Sequence, residues 1–225
     1  MGTAIEKSTA GVDEVPLSAA MRGKIAPVKF AHIVLKTNRY RGMLDWYKTV
    51  LEAIPVLEED SLCFMTYDEE HHRIAIVEIP MLLTVPKFLT GIDHMAYTYE
   101  SIGDLLFTYK RLKNEGITPY WTINHGPTIS MYYHDPDGNS VELQVDSYDS
   151  PHEASAIFLT EDFKNNPLGE DFDPEDMARR YDAGESIEEL RVFQVRTKRS
   201  ALDLPAAHVG RFHSMLARIA RMFGA

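Results

Sequence analysis

Three residues of this chain have the types that bind a metal and the setting that demands one: His32, His94 and Glu142. Each lies in a short apolar run of strand character, in VKFAHIVLKT, GIDHMAYTYE and GNSVELQVDS. Two imidazoles and one carboxylate form the ligand set that leaves open positions on a non-haem Fe(II) for a substrate and O₂. A charged group in a buried strand is costly unless something pairs it. A lone buried Glu142 would need protonation or a cationic partner, and SVELQVD supplies no Lys or Arg. A shared cation would pair all three.

The elements that must position them recur along the chain. In the first stretch Val28, Phe30, His32 and Val34 alternate with Lys29, Ala31, Ile33 and Leu35, which predicts a strand buried on both faces. RGMLDWYKTVLEA (41–53) has helical spacing of its apolar residues. SLCFMTYD (61–68) and HRIAIVEI (72–79) read as strands joined by the polar turn DEEH. The order then repeats. GIDHMAYTY (91–99) is a strand with a His near its start, and SIGDLLFTYKRLKNEG (101–116) is a helix capped by Ser101 and stopped by Gly116. TPYWTIN, TISMYYHD and SVELQVD follow as strands, the last two joined by a DPDG turn (135–138). Aligning FAHIVLKT with IDHMAYTY superposes His32 on His94, 62 positions apart. The expectation is an α+β fold: two βαβββ modules, about 28–80 and 91–146, within a unit spanning 25–149, forming a curved mixed sheet around a metal site. A flexible arm (1–24) precedes it. An extension (150–225) follows, with a short helix capped by Asp173 and stopped by Gly184, a turn or two of helix in GESIEELRVF, and an amphipathic terminal helix carrying Val209, Phe212, Met215, Leu216, Ile219 and Met222 on one face.

Composition narrows the function classes. The net charge is −11, yet residues 191–225 alone carry seven Lys/Arg against one acid, so the body is strongly acidic. Nucleic acid is excluded as the main partner, because phosphate binding needs a basic face. No apolar run is long enough for a membrane span. The start of the chain lacks a basic-then-apolar secretory pattern, and Glu6 occupies the Ser/Thr position of a myristoylation motif. Cys63 is the single cysteine and is expected to pack as a small hydrophobe; a cytoplasmic protein is expected. The basic terminal helix is expected to pack on its own or a sister subunit, giving a homo-oligomer, in preference to a membrane surface.

The two-module pattern, the His-His-Glu placement, and the segments DEEHHRIAIVEIP and HGPTISMYYHDPDGNSVELQVD resemble the vicinal oxygen chelate superfamily. More narrowly they are similar to the type I extradiol ring-cleavage dioxygenases, such as catechol and dihydroxybiphenyl dioxygenases. The resemblance covers roughly residues 25–180; the tail after 195 has no counterpart. It implies that His32, His94 and Glu142 bind Fe(II), with Mn(II) as a substitute, and that a small aromatic diol chelates the metal while O₂ takes a remaining position. His72, the second His of the His-His-x-Ile-Ala run, would be the acid/base group. Tyr132, four residues before Pro136, would hydrogen-bond the substrate oxygen, with the adjacent Tyr133 facing the other way. His125 in NHGPT would stand near the distal substrate hydroxyl, although its spacing to Tyr132 departs from the family's.

Other histidines and acids receive structural readings. Asp93 is expected to point away from the metal, His134 to be solvated beside the DPDG turn, and His152, His208 and His213 to lie on the surface. Glu78, on the last strand of module one, opens an alternative. If it faced inward with Glu142, the set would become the His-Glu-His-Glu arrangement of glyoxalase-type isomerases, which favour Zn or Ni. The three-ligand set is preferred because Glu78 abuts Pro80. Two other functions on this scaffold are a metal-dependent isomerase, lyase or epimerase, and a metal-free ligand-sequestering protein of the bleomycin-resistance kind.

Overall fold

The computed structural model describes residues 26–83, 86, 89–200 and 203–210. The N-terminal arm, and the terminal helix beyond Gly210, lie outside the described residues.

Two βαβββ units follow one another. The first is β1 (Ile33–Thr37), α1 (Tyr40–Leu51), β2 (Ile54–Glu58), β3 (Leu62–Thr66) and β4 (Ile74–Glu78). The second is β5 (His94–Tyr99), α2 (Ile102–Asn114), β6 (Trp121–Asn124), β7 (Thr128–His134) and β8 (Ser140–Asp146). Each first strand runs parallel to the last strand of its own unit, giving the orders β1-β4-β3-β2 and β5-β8-β7-β6. The α+β expectation holds. The strand β2 is an addition to the sequence reading, which named only two strands after α1.

Local sequence explains the helices. In α1 the buried residues Tyr40, Met43, Leu44, Tyr47 and Val50 fall three and four apart, on one stripe. In α2 the Ser101 side chain accepts from the Asp104 backbone N–H at 3.1 Å, and Ile102, Leu105, Leu106, Tyr109 and Leu112 face inward. Both helices share one core with the inner faces of the two sheets, including Cys63, Met65, Ile76, Met131, Tyr133 and Leu143. Cys63 is fully buried, as its apolar setting predicts.

The halves are tied at the turn that launches β8. The buried Asp135 carboxylate accepts from the backbone N–H groups of Asp137 (3.0 Å) and Asn139 (2.9 Å), from the Asn139 amide (2.7 Å), and from the Tyr47 hydroxyl of α1 (3.1 Å). Gly138 takes φ 86, the left-handed conformation such a turn needs. This knot sets the start of the strand that carries Glu142.

The first strand differs from expectation. It begins at Ile33, after His32, and one face is open: Val28 and Phe30 are exposed and Val34 remains 55% exposed. Among the described residues, the outer face of the first sheet has no layer over it comparable to the one over the second. That layer comes from the C-terminal extension, whose Leu168, Leu204 and His208 lie against Trp121, Ile123 and Tyr132. The extension comprises α3 (Pro151–Ile157), α4 (Glu161–Asn165), β9 (Glu170–Asp171), α5 (Pro174–Asp182), α6 (Ile187–Arg191) and α7 (Ala206–Val209). The strand β9 pairs with β6 as a fifth strand. The approach is so close that a Cβ on Gly169 would fall 2.3 Å from the Asn124 carbonyl. As predicted, Asp173 caps α5, accepting from the Glu175 N–H at 2.9 Å. That helix docks on α2 through Lys110–Asp182 (2.6 Å) and the Tyr109 and Lys113 contacts with Glu175.

Candidate metal centre

Strand alternation places Glu142. On β8, Val141, Leu143 and Val145 enter the core, so Glu142 points to the opposite face. It is nevertheless only 4% exposed, because the extension covers that face. Its cross-strand neighbours are Ala96 on β5 and Tyr132 on β7. His94 opens β5 opposite Ser140, and its Nε2 lies 3.0 Å from Glu142 Oε2. Its Nδ1 donates to Asp93 Oδ2 at 2.7 Å. The Glu142 hydrogen bond pushes the His94 imidazole up to about 9, against the opposing effect of burial and with help from Asp93. Burial raises Glu142, but hydrogen bonds from His94 and Ser130 outweigh it and leave the carboxyl below its ordinary value.

Tyr132 and His125 complete this face. His125 Nδ1 donates to the Leu168 carbonyl at 2.5 Å, which leaves Nε2 as an acceptor 3.0 Å from the Tyr132 hydroxyl. Burial lowers the His125 pKa, so the neutral ring is the resting form. The Tyr132 hydroxyl is raised by burial and by the Glu142 charge beside it, and it stays protonated. Trp121 stacks on Tyr132 with centroids 4.8 Å apart. Tyr133 faces the core, as strand parity predicts.

His32 and His72 form a second group on the first half. Their rings are 4.5 Å apart, and His72 also touches Phe64 and His71. Arg73 donates to the carbonyls of Phe30 (2.6 Å) and Ala31 (3.1 Å), pinning the segment before His32. Partial burial, then the neighbouring His32 and His71, lower the His72 pKa. Between the halves lies a cavity of about 280 Å³, with Phe30, Ile33, Tyr67 and Arg73 on one side and Ile92, His94, Met95, Ala96 and Tyr97 on the other. Tyr67 and Tyr97 meet edge to face across it, 5.6 Å apart.

The structure thus brings His94, Glu142, Tyr132 and His125 together, and His32 with His72. Among the described residues, the ligand atoms of a His/Cys/Asp/Glu trio that lie within 4.8 Å of one another are those of Asp93, His94 and His208, so His32 does not join His94 and Glu142 at that spacing.

Strand register bears on Glu78. In the second half His94 faces Ser140, and Glu142 lies two residues on, opposite Ala96. In the first half Val34, two residues after His32, faces Ala75. Ala75 is therefore the counterpart of Glu142, and Glu78 lies about 10 Å further along β4. The first half offers no matching carboxylate.

Three residues depart from their sequence readings. His208 is buried against the site, not on the surface: its Nε2 donates to Asp93 Oδ2 at 2.7 Å. Asp93 does not turn away from the centre but bridges His208 and His94. His134 is partly covered and stacks on Tyr120 at 3.9 Å, rather than being solvated. No motif marked His208, because its segment has no counterpart in the repeat and reaches the site only through tertiary packing.

The family model described as Glyoxalase/Bleomycin resistance protein/Dioxygenase superfamily matches residues 29–143, which hold both histidines and the glutamate. The chain belongs to that superfamily. Biphenyl-2,3-diol 1,2-dioxygenase 2 of Rhodococcus globerulus is 46% identical over 167 residues, covering 73% of this chain and 87% of the relative. Biphenyl-2,3-diol 1,2-dioxygenase 3 of the same organism is 39% identical over 174 residues, covering 76% and 92%. Within the superfamily this chain stands with the ring-cleavage dioxygenases, and it is an enzyme of that oxidoreductase type. A glyoxylase/bleomycin resistance protein/dioxygenase domain from Frankia sp. EAN1pec is 19% identical, covers 57% of this chain and 98% of its own, and has a TM-score of 0.47. No helix among the described residues is long and apolar enough to cross a membrane.

Proposed function

We propose that this dioxygenase uses Fe(II), held by His32, His94 and Glu142, to open the ring of a catechol-like aromatic diol with O₂. One observation carries the reading: a nearly fully buried carboxylate, Glu142, faces the Nε2 of a histidine whose Nδ1 is already committed to Asp93. A carboxylate that fixes one imidazole nitrogen and leaves the other to a cation is the usual support of a metal-binding histidine. The donor set fits a divalent ion with open positions. The Asp93, His94 and His208 trio fits one less well. Both imidazoles already satisfy a single, half-exposed carboxylate oxygen at 2.7 Å, which is ordinary hydrogen-bond spacing. The missing carboxylate at Ala75 disfavours the four-ligand Zn or Ni isomerase centre.

When bound, Fe(II) would accept the two diol oxygens and pass electrons from the ring to O₂. The remaining work falls to the chain. The cavity between the halves supplies apolar and aromatic walls, Phe30, Ile33, Tyr67, Met95 and Tyr97, suited to a flat ring. Tyr132, its proton donated to His125 Nε2, presents its hydroxyl oxygen as an acceptor to a diol hydroxyl at the Glu142 end of the site. His125, held as the Nδ1–H tautomer, keeps an unprotonated Nε2 behind it. His72, with its lowered pKa, is neutral near pH 7 and can take a proton from a diol hydroxyl and return it as the ring opens. The names of the two Rhodococcus relatives make 2,3-dihydroxybiphenyl the first substrate to try.

Anaerobic loading with Fe(II), followed by air and 2,3-dihydroxybiphenyl, should consume oxygen and yield a yellow ring-opened product. His72→Ala should remove ring cleavage while sparing iron binding. Absence of oxygen uptake from iron-loaded protein across several catechols would defeat the proposal. Full activity in His72→Ala would remove that residue's role alone.

A further inference from the structure

The C-terminal segment returns to the second sheet and is fastened there at several points. The backbone N–H groups of Arg196 and Thr197 donate to Glu170 Oε1 at 2.9 and 2.8 Å. The Arg199 guanidinium grips Asp171 at 3.0 and 2.5 Å, and Leu204 packs on the cluster of Trp121, Ile123, Tyr132 and Leu168. The path ends at α7, where the His208 side chain is only 3% exposed.

From there a directed chain of hydrogen bonds runs into the site. A carboxylate only accepts, so His208 Nε2–H donates to Asp93 Oδ2. His208 Nδ1 is then the acceptor for the Tyr120 hydroxyl at 2.8 Å, and the Tyr120 oxygen meets Ser140 Oγ at 2.5 Å. Ser140 is the cross-strand partner of His94, whose Nδ1–H donates to the same Asp93 oxygen. The hydrogen bonds run from Ser140 through Tyr120 and His208 to Asp93, and the register of β5 with β8 sets Ser140 opposite His94. Asp93 is otherwise more than half exposed, and a solvated carboxylate would move among rotamers.

We propose that His208 is a positioning residue of the metal centre: it fixes the Asp93 carboxylate, and through it the ring of His94, with Nε2 turned to Glu142. This rests on the metal-binding reading above. It assigns a role to the part of the chain that lies outside the matched family region, and it makes the extension a component of the active site.

The test uses the full-length protein and anaerobic titration with Co(II), whose visible spectrum reports ligation. His208→Ala should weaken Co(II) binding by about 10-fold or more, the usual cost of removing an outer-shell partner of a metal ligand. His208→Gln places an N–H donor where the imidazole Nε2 stood and should restore binding to within about threefold of the parent. A His208→Ala protein that binds Co(II) like the parent overturns the proposal while leaving the functional reading intact. A loss that His208→Gln does not restore overturns it too, since packing and not the donated hydrogen bond would then be at work. A parent that binds no divalent metal defeats the functional reading and this inference with it.

Discussion

The two halves share an order of elements and differ in what covers them. In the second half the inner face and the centre of the outer face are buried, while Ala96 and Thr98 on β5 stay open. Val141, Leu143 and Val145 meet α2 and the core, while Ser130, Tyr132 (2% exposed) and Glu142 lie beneath the extension. In the first half the inner face is buried, and on the outer face Ala75 is covered while Val34, Ile54 (68% exposed) and Val56 remain open. The chemistry follows the cover. His94 has a buried carboxylate partner, an outer hydrogen-bond support and a strongly raised pKa. Its counterpart His32 is exposed and lies tilted against the His72 ring. A duplicated fold supplies two equivalent strand positions, but only in the second does a buried carboxylate face the histidine, and that carboxylate raises the imidazole against the effect of burial. A carboxylate is worth most as a metal ligand where water does not compete for it.

This contrast can be broken at its ends. Glu142→Gln removes the carboxylate charge and keeps the shape. It should abolish metal retention and lower turnover on the order of 100-fold or more, whereas Glu78→Gln in the first half should stay within about twofold; metal analysis and oxygen uptake read both. An equal loss in Glu78→Gln would restore the four-ligand alternative. Next in size is the packing difference. Leu143→Ala under the second sheet should cost about 2–5 kcal/mol, and Val34→Ala on the open face of the first about 1 kcal/mol or less, measured by urea unfolding.

The smallest effect concerns the fastening of the extension. Burial raises Asp171, but Arg199 and the Trp121 indole N–H, 2.8 Å away, outweigh it and hold the carboxyl below its ordinary value. A carboxylate lowered on folding stabilises above its unfolded value, about 3.9, and loses that contribution as pH falls through the folded one. With Trp46→Phe, Trp121 becomes the sole indole, since the chain has two. Its fluorescence should change as pH drops below about 4, and Asp171→Asn should shift the signal at neutral pH and flatten this acid response. An acid response unchanged in Asp171→Asn would show that this fastening does not govern it.

Much of the scaffold was legible because it is written in short-range terms. Ser101, Asp173, Gly116 and Gly184 mark helix ends, and alternation along β8 alone predicts that Glu142 and Leu143 face opposite ways. The repeat of His32 in His94 could be seen by alignment, and Cys63 could be assigned to the core from its neighbours. The strand at Ile54–Glu58 escaped notice, since IPVLE carries a proline and no alternation against a buried face. The predicted two-sided burial of β1 failed because apolar composition does not say whether a second layer arrives.

By itself the sequence determined the two modules, their order, and the residue types able to bind a metal, because propensity, periodicity and capping act over a few positions. Only the tertiary structure decided which of those residues meet. The register of β1 with β4 put Ala75 where a fourth ligand would stand, and the return of the C-terminal segment buried Glu142 and brought His208 to Asp93 across 115 positions. Contacts of that span depend on how layers pack, and no local pattern records them.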